Sequence, residues 1–226
     1  MTAYGVLGTG VVGQAIAHKL TSLGHEVGMG TRDVAAARSR TEQGQAGAQP
    51  LASWLAEHPH VELATFADTI AASEILINAS AGPASVEVLR SARMEDLENK
   101  ILIDVGNPLD FASGQLDLVP GVTDSLGETL QREFPNVRVV KALNMVSASV
   151  MIDPGAVGAG EHTAFIAGNH DAAKQVVTTL LFSFGWRDVR DLGDIAGARG
   201  MEAYLVLWLR VMQTFGTPAF NIKLAI

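Results

Sequence analysis

Residues 8–13 read Gly-Thr-Gly-Val-Val-Gly, a G-x-G-x-x-G hexapeptide set between the apolar run AYGVL (3–7) and an alanine-rich amphipathic stretch. On its own such a match is weak. Here it closes a strand-like run and opens a helical one, because Ile16, Leu20 and Leu23 recur on one stripe after Val11. HEVGM (25–29) then reads as a second strand, so residues 3–29 form a βαβ unit. In that unit each glycine has its own role. Gly8 permits the tight turn, Gly10 lets a pyrophosphate approach the backbone, and Gly13 lets the helix pack close on the strand. The unpaired N–H groups of the first helical turn face the phosphates, with the helix dipole in the favourable sense. The alternative is a tight strand–helix turn and nothing more.

The pattern continues. VELATF (61–66), EILINA (74–79), KILIDV (100–105) and VRVVKAL (137–143) are dense in Val, Ile and Leu, as strands covered on both faces should be. Helical stretches lie near 33–43, 84–93 and 125–134, the last opening with Ser125 and Glu128 in a capping-box pattern. Such alternation predicts an α/β fold, a doubly wound parallel sheet of Rossmann type, over residues 1–148. After Ala148 the rhythm changes. HTAFIAG (162–168) and WRDVRDL (186–192) are strand candidates around a helix at 171–184. Residues 198–215, Trp208 among them, are apolar on nearly all sides, which implies deep burial or an interface. The expectation is a smaller C-terminal α+β domain over 149–226. Residues 42–60 read as a surface excursion, within which LASWLAEH is able to form a helix.

Composition removes several function classes. A net charge of −8 argues against nucleic acid or an anionic membrane as partner, although local backbone amides still suit an anionic ligand. With no cysteine there is no disulfide, thiolate nucleophile or Cys-held metal. Met1 leads straight into the first strand, and the apolar run AYLVLWLRVM from Ala203 is interrupted by Arg210. A soluble, cytoplasmic protein is expected.

The residues just after the second strand select the cofactor. An NAD site carries Asp or Glu there for the ribose 2′-OH. This chain has Gly30-Thr31-Arg32, with no acid until Asp33. Thr31 and Arg32 can bond a 2′-phosphate, which favours NADP; the alternative makes Arg32 a solvated residue at a helix start and Asp33 its N-cap. Arg38 is a weaker second cation. At the same sheet edge lie the loops 79–83, 106–108 and 144–147, where Asn107 and Asn144 offer amides, though each alone is also ordinary turn chemistry. Tyr-x-x-x-Lys is missing: Tyr204 is followed at that spacing by Trp208, and Tyr4 by Gly8. His58 and His60 read as a solvated loop rather than a metal site, and His162 and His170 as surface residues. No metal site is expected. The residues thus suggest a nicotinamide cleft without an evident general acid or base for carbonyl reduction, in which the protein mainly positions two rings.

GVLGTGVVGQAIAHKLTSLGHEVGMGTRD (5–33), KALNMVSASVM (141–151) and the segment 198–226 together resemble the F-420-dependent NADP oxidoreductase family over nearly the whole chain. The resemblance implies an N-terminal Rossmann domain, a small C-terminal domain, a deazaflavin ring stacked near the nicotinamide, and a homodimer. It places Thr9, Gly10, Val11 and Val12 at the pyrophosphate, Thr31 and Arg32 at the 2′-phosphate, and Ser80, Ala84, Asn107 and Ala148 along the rest of the NADP cleft. Two departures stand out. Ala35-Ala36-Ala37 replaces a basic residue that some members have, and Asn144-Met145-Val146-Ser147 replaces a His-Thr-Ile-Pro-like segment of archaeal members. The stretches 42–60 and 109–124 are further additions able to reshape the substrate side. The expected function is an oxidoreductase passing hydride between NADP(H) and a flat acceptor, coenzyme F-420 first and flavin second. The loops at Ser80, Asn107 and Asn144 set the contact between the rings, with Asn144 and Met145 positioning the acceptor. Reduction of an imine or carbonyl, or non-catalytic NADP sensing, are the rival readings.

Overall fold

Successive side chains of a strand enter opposite faces of its sheet, and here both faces are apolar. In the computed structural model, which describes residues 2–44, 47–110, 117–118 and 121–226, these faces become two packed layers. The chain begins β1 (Ala3–Leu7), α1 (Val11–Ser22), β2 (Glu26–Thr31), α2 (Val34–Arg38), α3 (Leu51–Glu57), β3 (Glu62–Thr65) and α4 (Phe66–Ala72). It continues with β4 (Ile75–Asn78), α5 (Ser85–Arg90), α6 (Met94–Leu97) and β5 (Ile101–Asp104). A short antiparallel pair, β6 (Leu109–Asp110) with β7 (Asp117–Leu118), precedes α7 (Leu126–Glu133) and β8 (Arg138–Ala142). Last come α8 (Ala148–Ile152), β9 (Thr163–Gly168), α9 (Asp171–Phe184), β10 (Asp188–Asp191) and α10 (Ala198–Phe215).

The sheet order is β10-β9-β8-β5-β4-β1-β2-β3. Neighbours are parallel except β8 and β9, so β9 and β10 run against the rest. The run β3-β2-β1-β4-β5-β8 is the doubly wound order expected from the sequence, with its switch of direction beside β1. The sheet crosses the boundary drawn at residue 148, and so do both apolar layers. Val150 and Trp186 share one layer with Val6 and Ile16; Ile195 and Ala198 share the other with Leu7 and Leu102.

Several elements differ from their sequence reading. The helix expected over 33–43 stops at Arg38, because after Ala37 no apolar side chain follows for two turns to hold it on the core. Helix α4 was hidden because β3 runs straight into it, with the Thr65 hydroxyl accepting the Asp68 N–H as cap. The capping box at Ser125 is present as read. Of the stretch 109–124, residues 111–116 and 119–120 lie outside the described residues.

One rung of the sheet is polar. Asn78, Asp104 and Lys141 are register partners on β4, β5 and β8, near the carboxyl ends of those strands. Lys141 is 0% exposed, and its Nζ lies 2.9 Å from Asp104 Oδ2 and 2.8 Å from Glu202 Oε1. It also donates to the Gly106 carbonyl. Burial pulls the Lys141 pKa down, but the charges of Asp104 and Glu202 outweigh it and hold the group above its ordinary value. The Glu202 carboxylate accepts the backbone N–H groups of Leu126 and Gly127, tying α10 to the first turn of α7. Replacing the ammonium strands two buried carboxylates. Lys141→Met is therefore expected to lower stability by about 3–5 kcal/mol, read as a lower midpoint in urea unfolding; an unchanged midpoint contradicts this account of the rung.

Candidate functional site

The glycine loop divides its labour. Gly8 has φ +133°, and a Cβ there would sit 2.4 Å from the Ala79 carbonyl oxygen, so the loops after β1 and β4 press together. A Cβ on Gly13 would sit 2.1 Å from the Gly8 carbonyl oxygen. At Gly10 a Cβ would meet nothing within 4 Å. Two glycines serve packing, and the third faces open space. Gly10 is also the N-cap of α1, has no side chain to cap the helix, and no acidic residue stands in the first turn. The first-turn N–H groups are thereby left for an anion.

A cavity of about 530 Å³ lies in front of this loop. It brings together Gly8, Thr9, Gly10, Thr31, Arg32, Ser80 and Ala84, and adds Arg40, Phe66 and Val88. Val11, Val12 and Gly13 stand beside it in the first turn of α1. Asp33 Oδ1 accepts the Ala36 N–H at 2.9 Å, so that acid caps α2 while Arg32 lines the cavity. Arg38, the second cation of the sequence reading, is exposed and away from the cavity. Arg40 takes that place instead, its Nη2 donating to Thr9 Oγ1 at 2.7 Å. A signal for it was available: 33, 36, 37 and 40 follow the spacing of a single helix face.

A second cavity, about 400 Å³, opens at the amino ends of β1 and β2 and carries Glu26, Glu62 and Asp68. Those carboxylates repel phosphate, whereas Arg32 and Arg40 give the cavity before the glycine loop the charge to attract it. Among the described residues Asp33 is its single carboxylate, and no histidine lines it.

The remaining site residues lie along the ends of β4, β5 and β8. Ser80 Oγ donates to Asn78 Oδ1 at 2.6 Å, which joins it to the buried rung. Asn107 Nδ2 donates to the Asn144 carbonyl, and Asn144 Nδ2 donates to Asn107 Oδ1, each at 2.9 Å. Asn144 Nδ2 also donates to the Met201 carbonyl on α10. Asn144 is 1% exposed, and its Oδ1 has no partner among the described residues. Leu143, at φ +60°, holds the strained turn that drives Asn144 inward. Met145 is half-buried in a small recess with Leu143 and Trp186. Ala148 opens α8, which packs on α1.

Two histidine readings change. His162, expected at the surface, is 4% exposed, with Nε2 2.9 Å from the Pro154 carbonyl oxygen and Nδ1 2.9 Å from Asn221 Nδ2. His58, expected in a solvated loop, stacks on Trp54 at 4.1 Å and lies 2.9 Å from His18. His60 and His170 are exposed. Among the described residues no helix is long and apolar enough to cross a membrane.

The family model described as NADP oxidoreductase, coenzyme F-420-dependent, matches residues 3–108. The crystal structure of a provisionally assigned F-420-dependent NADP-reductase from Arthrobacter sp. FB24 is 49% identical, with a TM-score of 0.96 and 100% of both chains covered. The F-420-dependent NADP reductase of Methanothermobacter marburgensis is 29% identical over 86% of this chain and 85% of its own length. Metalloreductase STEAP3 of Rattus norvegicus is 27% identical over 95% of this chain, which spans 38% of that protein. An imine reductase from Aspergillus terreus shares the fold at a TM-score of 0.65 and 19% identity, with 95% of this chain and 63% of that one covered.

The glycines separate folding from binding. Gly10→Val is expected to keep the far-UV circular dichroism and melting temperature while abolishing NADPH binding in a fluorescence titration. Gly13→Ala is expected to melt well below the unaltered protein, because its Cβ meets backbone. Normal binding by a folded Gly10→Val protein refutes the pyrophosphate assignment.

Proposed function

The chain belongs to the family of F-420-dependent NADP oxidoreductases, and from that premise we propose that it passes a hydride between NADP(H) and coenzyme F-420. One observation supports the cofactor half above the others: Arg32 and Thr31 line an open cavity directly ahead of Gly10. The first turn of α1 takes the pyrophosphate, and Arg32 with Thr31 takes the 2′-phosphate. Ala79 and Ser80 wall the other side, where the short side chains leave room for a flat ring. When bound, the cofactor supplies or accepts the hydride at its nicotinamide ring.

What this chain adds is placement. Transfer needs the reacting atoms about 3–3.5 Å apart, a distance set by how rigidly both rings are held. The buried rung fixes the loop after β4 through Ser80 and Asn78, and the loop after β5 through Gly106. Asn144 acts from behind, locking Asn107 and α10 in place rather than touching the acceptor. Met145 is the more exposed of the two acceptor-side candidates. We assign residues 1–148 to the cofactor and 149–226 to the acceptor side and to dimer contact. Val206, Leu207 and Phe215, which are 57%, 55% and 74% exposed on α10, supply an apolar face for a homodimer.

Turnover is tested by following NADPH loss with F-420, FMN, FAD or a cyclic imine offered separately. Turnover with F-420 alone is the expected result. Turnover only with a flavin or imine moves the acceptor to that class, and NADPH binding without turnover makes the protein a sensor. Arg32→Ala is expected to weaken NADPH binding about ten- to a hundredfold and leave NADH binding nearly unchanged. Leu207→Glu is expected to shift the sedimentation coefficient from dimer to monomer.

A further inference from the structure

We propose that Arg40 is a specificity-determining residue, a second cation for the 2′-phosphate of NADP(H), with Thr9 as its partner when no phosphate is present. The inference rests on the NADP(H) reading above. Arg40 stands just beyond α2, on the continuation of the face that carries Asp33, Ala36 and Ala37 along the cavity. That face begins next to Arg32, where β2 ends. Its main chain is anchored, since the Arg40 carbonyl accepts the Ala52 N–H at 3.2 Å. From there the guanidinium reaches back over the cavity to the Thr9 hydroxyl, 2.7 Å away.

Its charge is unspent. Arg90, Arg93, Arg132, Arg190 and Arg199 each pair with a carboxylate. Among the described residues Arg32 and Arg40 have no such partner, as is also true of Arg38, Arg138, Arg187 and Arg210, but of these six only Arg32 and Arg40 line the cavity before the glycine loop. Two guanidinium groups on one cavity repel each other, and a phosphate between them turns that repulsion into attraction. A single bond to a neutral hydroxyl is weaker than a charge-assisted pair with phosphate, so Arg40 gains by exchanging Thr9 for the ligand. The pyrophosphate already has the amides of α1, whereas the 2′-phosphate otherwise has one cation.

The test titrates NADPH, NADH and 2′,5′-ADP into the unaltered protein, Arg40→Ala, Arg40→Lys and Arg40→Gln by calorimetry, at two salt concentrations. Arg40 is exposed, so equal melting temperatures are expected and checked. Arg40→Ala should weaken NADPH and 2′,5′-ADP about tenfold or more and NADH by less than twofold. Arg40→Lys should recover part of the loss, with a salt dependence like that of the unaltered protein. Arg40→Gln can still donate to Thr9 and should behave like Arg40→Ala. Equal losses for NADPH and NADH, or no loss, overturn the proposal, the first by pointing to a pyrophosphate contact. An unaltered protein without preference for NADPH overturns the underlying NADP(H) reading as well. An NADPH-to-NADH affinity ratio unchanged in Arg40→Ala overturns the role of Arg40 alone.

Discussion

An ammonium group with no solvent exposure holds the working edge of this molecule together. Lys141 sits between Asp104, which also accepts the Gly106 N–H and the Asn78 side-chain amide, and Glu202, which also accepts the N–H groups of Leu126 and Gly127. The loops after β4 and β5, the start of α7 and the buried half of α10 are thus fixed by one set of charges. A hydrophobic replacement of such a set can be as stable, so stability alone does not explain it. What ion pairs and hydrogen bonds provide, and apolar contact does not, is direction. Each loop is held at a defined angle to the sheet, since a hydrogen bond has a preferred direction.

The glycine loop uses a complementary device. Where the rung fills every polar valence, α1 begins with donors left over and no side chain to cap them. A glycine N-cap in place of a capping side chain costs the helix only roughly a few tenths of a kcal/mol. Here it coincides with the open side of Gly10 and with two unpaired arginines. Close packing at Gly8 and Gly13 holds the loop so that those donors are already in place before a ligand arrives. An acidic chain therefore carries an anion site by local arrangement, against its net charge.

The helix α10 shows how one sequence pattern can hold two answers. Ala198, Met201, Glu202 and Leu205 are buried at helical spacing, while Val206, Leu207 and Phe215 are exposed. The all-round apolar character read from 198–215 therefore reflects burial in the first two turns and a bare face beyond them. Trp208 stacks on Phe220 at 5.4 Å, so part of that face is covered by the chain's own tail. Periodicity could not divide the helix in this way, because both halves carry the same residue types.

The sequence by itself determined the βαβ start, the strand order's class, the capping box at Ser125 and the close packing at Gly13, because each rests on contacts within about 30 residues or on a period of side chains. It also pointed to Thr31 and Arg32, whose meaning depends only on their place after the second strand. The tertiary structure decided the rest. Lys141 looked like one charge in an apolar strand until register set it beside Asp104 and α10 brought Glu202 from 61 positions away. His162 is buried by a tail that folds back through Asn221, and the cavity before the glycine loop is lined by Arg40 and not by Arg38. Such partners are chosen by the path of the chain in space, and no local pattern of hydrophobicity or spacing records that path.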